Sequence, residues 1–366
     1  MSPSPASDVV TPPGSHLAPP FDLPALRRWL MPALPVLATG ELTAERLPAG
    51  QSNPTWRLRH RDGTWVLRAK PGPASGLLPS AHAIEREVAV LRALQGSGVP
   101  VPAVHALCED ESVIGAAFYV MDFVDGRIVR DATLPQVGAE ERRAMHDDAV
   151  RVLAALHAVD WRARGLAGFG RHDAFFERMI ARWTRQYTAT ASAPIDAMER
   201  LAAWLPAHCP PPPPPGQDLC IVHGDFRLEN LVFHAQAPRV LAVLDWELST
   251  LGHPLADLAY HCMAWRLPQG VLRGLAGVDL GALGIPSEAE IITRYAALAG
   301  HADVDAIQAH WPFYLACNLF RLAAILQGIA YRAGQGIASH PQAMDTGRMA
   351  APVAELGWRI AQGRAG

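Results

Sequence analysis

The order of apolar and polar residues predicts a strand-rich beginning to the folded chain. From residue 42 to residue 67, apolar and β-branched side chains alternate with polar ones around two turns that contain glycine, at residues 50–53 and 61–63. Alternation with a period of two is typical of half-buried strands, so this segment predicts a β-meander. Residues 80–94 then carry apolar side chains at helical spacing, and Ser80 is the expected N-terminal cap.

Residues 117–121 form a short apolar run, which predicts a buried strand. Asp125 and Gly126 follow that run and favour a turn, and residues 140–159 then show helical periodicity. We therefore expect a small β-rich lobe that ends near residue 125.

The remainder of the chain is mostly helical by pattern, with two short strands predicted at residues 219–222 and 240–244. Six consecutive prolines at residues 210–215 predict an exposed polyproline spacer, because proline lacks the N–H that helix and sheet require. From residue 255 onward the apolar spacing is helical. Four aromatic residues at mixed helical spacings are predicted to belong to the core: Trp311, Phe313, Tyr314 and Phe320.

The amino-acid composition limits the number of lobes in the fold and the classes of binding partner. With 366 residues, half of them hydrophobic, the chain is long enough for two lobes. Lysine plus arginine (32) nearly balance aspartate plus glutamate (35), and the net charge is −3. This balance gives no general attraction to nucleic acid or to an anionic membrane, so neither partner is expected.

The cysteines and the N-terminal segment predict a cytoplasmic protein. The five cysteines are scattered, with no C-x-x-C pair that would indicate zinc or a disulfide framework: Cys108, Cys209, Cys220, Cys262 and Cys317. Residues 1–20 are rich in proline, serine and alanine and are predicted to be a disordered tail. They show no signal-peptide pattern, and no later stretch has eighteen uninterrupted apolar residues.

A cluster of polar residues follows the predicted strand at residues 219–222. The sequence at residues 223–230 is His-Gly-Asp-Phe-Arg-Leu-Glu-Asn, and Asp245 comes fifteen residues after Asn230 at the end of the next predicted strand. Phosphoryl transfer needs a carboxylate that orients the attacking hydroxyl, and oxygen ligands that hold magnesium against the nucleotide phosphates. Asp225 is the candidate for the first role, and Asn230 and Asp245 are the candidates for the second.

The four residues between Asp225 and Asn230 match the spacing of the H-R-D-x-x-x-x-N catalytic loop. Gly224 stands where that loop has arginine, so dependence on a phosphorylated activation loop is not expected. Arg227 is predicted to reach the transferring phosphoryl group and to neutralise its developing charge. In the alternative interpretation Asp225 only caps backbone amides, but the second aspartate, Asp245, favours catalysis.

These residues resemble a known group of enzymes. The motif at residues 223–230, followed by Asp-Trp-Glu at residues 245–247 and Gly-His-Pro-Leu-Ala-Asp-Leu-Ala at residues 252–259, resembles the aminoglycoside phosphotransferase/choline kinase superfamily. The resemblance implies an α+β, two-lobed protein-kinase-like fold. We expect a nucleotide-binding lobe at residues 21–124, with a small antiparallel sheet and one helix, and a larger, mostly helical catalytic and acceptor-binding lobe at residues 125–366.

A subgroup of this superfamily is still more similar. Residues 50–55, 78–82 and 320–328 resemble the kinase-like domain that is fused to some acyl-CoA dehydrogenases, and the similarity extends over roughly residues 35–340. The implied activity is transfer of the γ-phosphoryl group of ATP, with Mg²⁺, to a hydroxyl of a small molecule. The fused relatives suggest a hydroxyacyl-CoA as that acceptor.

The resemblance also implies roles for residues of the first lobe. Ser52 and Asn53 lie where kinases have a glycine-rich phosphate loop, although the single glycine fits an ordinary hairpin turn equally well. A basic residue on the third strand is expected to bind the nucleotide phosphates. Arg68 is the favoured candidate and Lys70 is the alternative.

Two further nucleotide contacts are implied. Glu87 lies in the helix after the third strand and is expected to form an ion pair with the strand cation, with an exposed surface charge as the alternative. Residues 121–124 are the expected hinge, at which Asp122 and Val124 would offer backbone groups to adenine.

Asp257 and the nearby histidines are interpreted as structural. Asp257 lies on an apolar helical segment, where a buried carboxylate has to be hydrogen-bonded, and we interpret it as a brace for the catalytic loop. His253 and His261 are interpreted as polar packing, because imidazole suits zinc better than magnesium.

Other functions fit the sequence less well. A protein kinase is disfavoured because only eleven residues separate Asp245 from Asp257 and no A-P-E motif occurs. An aminoglycoside or other small-alcohol kinase is an alternative, but residues 246–366 hold nine acidic and eight basic side chains, which gives no acidic surplus for a polycation. A nucleotide-binding pseudokinase is the non-enzyme alternative. Candidate contacts to coenzyme A phosphates are Arg266, Arg294 and Arg321.

Overall fold

The computed structural model describes residues 19–47, 53–71, 83–191, 193–211, 219–300, 304–336 and 343–364. Several predicted features lie outside the described residues: most of the N-terminal tail, Ser52, Ser80 and four of the six spacer prolines.

The chain divides into two compact units. The first comprises Met1–Leu78 and Val104–Phe123, and the second comprises Pro79–Ala103 and Val124–Gly366. This division differs from the predicted lobe boundaries, because residues 79–103 group with the second unit.

A five-stranded antiparallel sheet forms the first unit, in the order β1-β2-β3-β5-β4. Its strands are β1 (Thr43–Arg46), β2 (Thr55–His60), β3 (Gly63–Ala69), β4 (Val104–Cys108) and β5 (Phe118–Asp122), and helix α1 (Leu23–Leu30) precedes them. The first three strands pair in sequence order, which confirms the predicted meander. Asp22 caps α1 by accepting the N–H of Ala25 at 3.1 Å.

Side-chain alternation along β2 separates the core from the surface of this sheet. Trp56 and Leu58 are buried and pack with Leu26 of α1 in one apolar cluster. Arg57, between them, points to the opposite face and pairs with Glu45 of β1 at 2.5 Å. Strand β2 therefore has one apolar face, toward α1, and one polar face.

The second unit is mostly helical and contains two small antiparallel ladders. In one ladder β7 (Cys220–Val222) pairs with β10 (Thr250–Gly252), and in the other β8 (Leu231–Phe233) lies between β6 (Arg127–Ile128) and β9 (Val240–Val243). The helices are α2 (Ile84–Leu94), α3 (Ala139–His157), α4 (Phe175–Thr190), α5 (Asp196–Ala207), α6 (Pro254–Cys262), α7 (Leu280–Leu283), α8 (Glu288–Ala299), α9 (Val304–Gly334), α10 (Ala343–Gly347) and α11 (Ala350–Ala361). The strands predicted at residues 117–121, 219–222 and 240–244 are confirmed as β5, β7 and β9.

Helix α2 packs within the second unit. It contacts the short 3-10 turn at residues 246–248. Arg86 of α2 donates to the Phe169 carbonyl at 2.7 Å, and its guanidinium lies 4.3 Å from the Phe169 ring centroid. These contacts explain why residues 79–103 group with the second unit.

Helix α9 is the central helix of the second unit and packs against α4, α5, α6, α10 and α11. The four aromatic residues predicted for the core, Trp311, Phe313, Tyr314 and Phe320, are buried. By length and apolar composition α9 is able to cross a membrane, with a mean hydropathy of 1.5 over its most apolar window. Because 72% of that window is buried inside the protein, α9 has the surroundings of a core helix.

All five cysteines lie in the described part of the chain and are free thiols, four of them buried. Burial raises the pKa of Cys209 to about 11 and raises the pKa of Cys262 well above its ordinary value. These thiols are therefore protonated at neutral pH and act as packing groups.

Candidate active site

Gly224 allows the loop at residues 223–230 to leave strand β7 sharply. Its φ is +83°, in the left-handed region that favours glycine. A Cβ at this position would lie 2.7 Å from the carbonyl oxygen of Leu248. The arginine found in the H-R-D form of the loop is therefore excluded here by the backbone geometry.

Asp257, on helix α6, accepts hydrogen bonds from the first two residues of this loop. Its carboxylate accepts the backbone N–H of His223 at 2.5 Å and that of Gly224 at 2.8 Å. Burial by itself would raise the pKa of Asp257, but the His157 side chain at 3.5 Å and the backbone donors outweigh it and lower that pKa. The buried carboxylate is thus charged and has the contacts expected of a brace.

The His223 imidazole joins the two segments that carry the candidate catalytic residues. Its Nδ1 accepts the backbone N–H of Asp225 at 3.1 Å, and its Nε2 lies 2.8 Å from the Leu244 carbonyl oxygen. Because a carbonyl only accepts and a backbone N–H only donates, Nε2 acts as the donor and Nδ1 as the acceptor of this ring. His223 is fully buried, and its ring centroid lies 4.7 Å from that of Trp246. One imidazole therefore sets the position of Asp225 relative to the end of β9.

Asn230 holds the side chain of Asp225. Its Nδ2 donates to the Asp225 carboxylate at 2.9 Å and to the Asp225 carbonyl at 2.8 Å. The backbone carbonyl of Asn230 accepts the N–H of Leu244 at 2.8 Å. The β8–β9 ladder thereby brings Asn230 close to the residue that follows Leu244, which is Asp245.

Asp245 occupies a left-handed backbone conformation, with φ +67° and ψ +63°. Aspartate tolerates this region better than most residues, but a non-glycine residue there still costs about 1 kcal/mol or more. The conformation ends β9 and starts the 3-10 turn at residues 246–248. Strain at a carboxylate beside a predicted catalytic loop is typical of a functional position.

Arg227 pairs with carboxylates on its own loop. Its Nε lies 3.4 Å from Asp225 Oδ1, and its Nη1 lies 2.9 Å from Glu229 Oε2. Glu229 also pairs with Arg273, which lines a cavity of about 260 Å³ together with Arg130. Half of the Arg227 side chain is exposed. The pairing with Glu229 is the arrangement expected of a purely structural arginine, and a catalytic role for Arg227 stays a prediction.

Tyr260 and Arg321 also contact the catalytic loop. Tyr260 is buried beside the Asp225 side chain, and burial together with the Asp225 charge raises the pKa of Tyr260 well above its ordinary value. The Arg321 guanidinium donates to the Gly224 carbonyl and lies 5.0 Å from the Tyr260 ring centroid. Sequence reasoning did not assign Tyr260, and it proposed Arg321 for coenzyme A, whereas Arg321 is buried beneath the loop.

A match to a protein-family model identifies the family of this chain. The model of the phosphotransferase enzyme family matches residues 43–291, which is most of the chain and includes the loop and Asp245. The chain belongs to this phosphotransferase family.

Relatives and solved structures agree with this assignment. A mouse (Mus musculus) protein, acyl-CoA dehydrogenase family member 10, is 44% identical over 92% of this chain and 31% of its own length. A crystal structure from Ralstonia eutropha, assigned to the aminoglycoside phosphotransferases, is 47% identical with a TM-score of 0.82, covering 94% of this chain and 100% of that one. The present chain thus spans about a third of the length of the mouse relative.

A more distant structure supports the fold. A thermostable mutant of aminoglycoside phosphotransferase APH(4)-Ia, in complex with ADP and hygromycin B, is 15% identical with a TM-score of 0.58, covering 93% of this chain and 99% of that one. The α+β kinase-like fold predicted from the sequence is therefore confirmed.

The oxygen ligands beside the loop fit a magnesium ion. Magnesium is usually held by one or two protein oxygens together with substrate phosphates and water. Because Asn230 Nδ2 donates to Asp225, the carbonyl oxygen of Asn230 is the atom available as a ligand, and Asp245 supplies a carboxylate. Among the described residues no group of three or more His, Cys, Asp and Glu side chains is arranged to hold a metal.

The predicted nucleotide contacts of the first unit lie in or beside its sheet. Asn53 is buried just before β2, and Thr55 Oγ1 donates to its carbonyl at 2.9 Å. Arg68 is buried within β3, opposite Tyr119, whereas Lys70 follows the end of that strand. Asp122 ends β5, and its carboxylate lies 2.6 Å from His105 Nε2. Phosphate and adenine binding by these residues stays a prediction.

Glu87 and Val124 belong to the second unit. Glu87 lies in the first turn of α2 and is only 2% exposed, which rules out the alternative of a surface charge. Its predicted ion pair with Arg68 or Lys70, and the hinge role of Val124, stay predictions.

The two histidines near the loop have separate structural roles. His253 caps helix α6, with Nδ1 accepting the Leu255 N–H at 3.2 Å. His261 is buried, and its ring centroid lies 5.8 Å from that of Phe226. Both roles agree with polar packing.

Proposed function

We propose that the protein is an ATP- and Mg²⁺-dependent phosphotransferase that transfers the γ-phosphoryl group to a hydroxyl of a small molecule. The proposal rests on the groups that hold the Asp225 carboxylate in place. Asn230 donates to it at 2.9 Å, the buried Tyr260 lies beside it, and its loop is bound to the buried Asp257. A carboxylate held in this way is suited to orient an acceptor hydroxyl.

In the proposed reaction the acceptor hydroxyl donates a hydrogen bond to Asp225. The hydroxyl oxygen forms a bond to the γ-phosphorus while the bond from that phosphorus to the β–γ bridging oxygen breaks, and ADP leaves with the electron pair. The hydroxyl proton passes to Asp225. When bound, Mg²⁺ neutralises charge on the phosphates, and Asn230 and Asp245 are the residues that would hold it.

Arg227 is proposed to stabilise the transition state. It lies two residues after Asp225 and is half exposed, so rotation away from Glu229 would bring its guanidinium toward the transferring group. A positive charge that acts only as the phosphoryl group moves lowers the barrier without strengthening ground-state binding.

A hydroxyacyl-CoA is the proposed acceptor. Support comes from the mouse relative, whose name refers to acyl-CoA chemistry and whose chain contains a region 44% identical to this one. A phosphotransferase region within such a chain suggests a shared acyl-CoA substrate.

An aminoglycoside or another small alcohol is the second candidate, because a protein of the same fold was crystallised with ADP and hygromycin B. A pseudokinase is the third, and the presence of Asp225, Asn230 and Asp245 together argues against it.

The proposal is tested with the purified full chain, Mg-ATP and a panel of acceptors: hydroxyacyl-CoAs, free hydroxy acids, sugars, choline and aminoglycosides. We expect ADP release that depends on a hydroxyacyl-CoA, and a product that has gained one phosphoryl group by mass spectrometry. The Asp225→Asn protein serves as the matched control and should give no product. A response to aminoglycosides alone would make the second candidate correct, and nucleotide binding without transfer to any acceptor would favour the pseudokinase.

A further inference from the structure

Helices α4 and α9 pack against each other and share an uneven distribution of charge. Residues 178–190 of α4 contain three arginines and no acidic residue, and residues 306–334 of α9 contain Arg321 and Arg332 and no acidic residue. The chain as a whole has a net charge of −3. Beyond their first turns, which contain Glu177 and Asp305, the two packed helices therefore carry five arginines and no acid, which gives this part of the helix pair a local positive potential.

Trp183 brings two of these arginines together. The Cζ of Arg182 lies 5.2 Å from the Trp183 ring centroid, and the Cζ of Arg321 lies 5.6 Å from it. Desolvation and the neighbouring charges of Arg321 and Arg185 lower the pKa of Arg182. These like charges repel one another, and a bound anion would relieve that repulsion.

Arg182, Arg185 and Arg321 form an arginine cluster, and carboxylates in the described part of the second unit do not pair with its α4 members. Within the described residues neither Arg182 nor Arg185 has a carboxylate partner within 4.0 Å. Arg178, one turn earlier on α4, does have one, since it pairs with Asp173 at 3.1 Å. The contrast singles out Arg182 and Arg185 as the arginines of α4 that lack a counter-ion.

The buried guanidinium of Arg321 is a second feature that points to a bound ligand. It is only 7% exposed, and its Nη2 donates to the Gly224 carbonyl. Its Nε is buried and has no hydrogen-bond partner among the described residues. A buried donor of a charged group that lacks a partner is destabilising, and an anion bound nearby would offset part of that cost through its attraction to the guanidinium charge.

This cluster lies beside the candidate catalytic residue. The Arg321 guanidinium is 5.0 Å from the Tyr260 ring centroid, and the Tyr260 side chain lies close enough to Asp225 for the Asp225 charge to raise the pKa of Tyr260. The chain of contacts therefore runs from Arg182 through Trp183, Arg321 and Tyr260 to the carboxylate that would orient the acceptor.

We propose that Arg182 and Arg185, backed by the buried Arg321, form an anion subsite that binds a phosphate or carboxylate group of the acceptor. This inference rests on the proposed function and adds to it a charge requirement: the acceptor is a negatively charged alcohol. Arg182 and Arg185 are exposed and would contact the anion directly. Arg321 is a positioning residue, because its side chain lies beneath the catalytic loop.

Steady-state kinetics test the subsite with the double variant Arg182→Gln/Arg185→Gln. The KM for an anionic acceptor is expected to rise at least tenfold, with less than twofold change in kcat and in the KM for ATP. Three acceptors identify the anion: a hydroxyacyl-CoA, the free hydroxy acid and the methyl ester of that acid. A rise for the coenzyme A compound alone assigns a phosphate, a rise for the free acid alone assigns a carboxylate, and a rise for both shows that the subsite accepts either anion. An unchanged KM for both anionic acceptors would overturn the inference.

Arg200→Gln is the matched control. Arg200 is an exposed arginine on α5 that also lies near an indole, 5.9 Å from the Trp358 ring centroid, but it pairs with Asp196 at 3.9 Å. Its KM for every acceptor should equal that of the unmodified protein.

A binding measurement separates this inference from the proposed function. Calorimetric titration of the full chain with coenzyme A and with inorganic phosphate, in the absence of ATP, requires no phosphoryl transfer. We expect binding of at least one probe to weaken at least tenfold in the Arg182→Gln/Arg185→Gln variant and to be unchanged in Arg200→Gln and Asp225→Asn. If no acceptor is phosphorylated but this binding pattern holds, the kinase proposal fails and the subsite stands. If transfer occurs but neither the KM nor probe binding depends on Arg182 and Arg185, the subsite is wrong and the kinase proposal stands.

Discussion

The amide nitrogen of Asn230 lies 2.9 Å from the Asp225 carboxylate and 2.8 Å from the Asp225 backbone carbonyl. One side chain thereby restrains both the reactive group of the proposed base and the backbone that carries it. The same hydrogen bonds direct the nitrogen of Asn230 toward Asp225, which leaves its oxygen as the atom available to the proposed magnesium ion.

Asp225→Asn is expected to lower kcat by about 10²–10⁴-fold while nucleotide binding is nearly unchanged. The reason is that an amide cannot accept the hydroxyl proton, whereas the proposed metal ligands remain in place. Turnover measured with saturating acceptor and ADP affinity measured by calorimetry check this together. If the variant lost nucleotide binding together with turnover, the assignment of Asp225 as a base that does not hold the metal would be wrong.

Asp245→Asn is expected to weaken binding of Mg-ATP as well as turnover, because the substitution removes a charged ligand of the metal. The control is ATP binding in excess EDTA, which should be the same for the variant and the unmodified protein. If the affinity for Mg-ATP were unaffected, Asp245 would not be a metal ligand.

Arg227→Ala is expected to lower kcat by roughly tens- to a thousandfold, about 2–4 kcal/mol, with a much smaller change in the KM for ATP. Arg227→Lys should recover part of this rate, since lysine keeps the charge but loses the planar geometry of guanidinium. Glu229→Gln is the control, because it removes the carboxylate that Arg227 contacts at 2.9 Å without removing the cation. Near-normal turnover of a folded Arg227→Ala protein would leave Arg227 with a structural role only.

Asp257→Asn is expected to destabilise the protein by about 2–4 kcal/mol. An amide in this position keeps one acceptor but turns a donor toward the N–H of His223 or Gly224, and it loses the charge that those groups stabilise. Urea unfolding measures the change, with Asp196→Asn at an exposed site as a control that should shift the free energy of unfolding by less than about 0.5 kcal/mol. Equal stability of the two variants would show that the brace is dispensable.

Acidification is expected to destabilise the protein through two buried histidines. Desolvation lowers the pKa of His146 to about 3 and that of His261 to about 4, from an ordinary value of 6.5. Below pH 6.5 the unfolded chain binds a proton at each site and the folded protein does not, so the stability present above pH 6.5 is lost progressively as the pH falls toward 4. The loss is about 2 kcal/mol for each histidine between pH 7 and pH 5.

Urea unfolding at pH 7 and pH 5 checks this prediction by comparing unmodified protein with His146→Phe and His261→Phe. Each variant should lose less stability between the two pH values than the unmodified protein does. His310→Gln, at an exposed site of α9, is the control and should keep the full pH dependence. Identical pH dependence in all four proteins would mean that the buried histidines do not control acid stability.

Local patterns were sufficient for the meander of β1–β3, for β5, β7 and β9 and for the core aromatics, and they supplied the candidate catalytic residues, whose roles stay predictions. The alternation with a period of two that predicted the meander is clearest in β2, where the buried Trp56 and Leu58 alternate with Arg57 and Arg59. Asp225 and Asn230 are recognisable because four intervening residues place both side chains on one loop. Asp245 is recognisable because it ends a short apolar strand.

Partnerships between distant parts of the chain required the tertiary structure. Gly224 lies 33 residues from Asp257, whose carboxylate accepts its N–H, and 97 residues from Arg321, which donates to its carbonyl. The sequence suggested that Asp257 braces the loop, but it offered Arg321 only as one of three candidate contacts to coenzyme A phosphates. A one-dimensional pattern records which residues are polar or apolar, and it does not record which helix faces are brought together.

The grouping of α2 with the second unit and the cluster around Trp183 arise in the same way. Arg86 is an ordinary helix arginine in the sequence, and its contacts with Phe169 exist only once two segments more than eighty residues apart have packed. Arg182 and Arg321 share one indole because α4 and α9 lie side by side. Motif spacing in the sequence thus determined which residues could serve in phosphoryl transfer. Helix packing decided which cations lie near Asp225. The reason is that the energy of a charge depends on the groups that surround it in space, which the sequence does not specify.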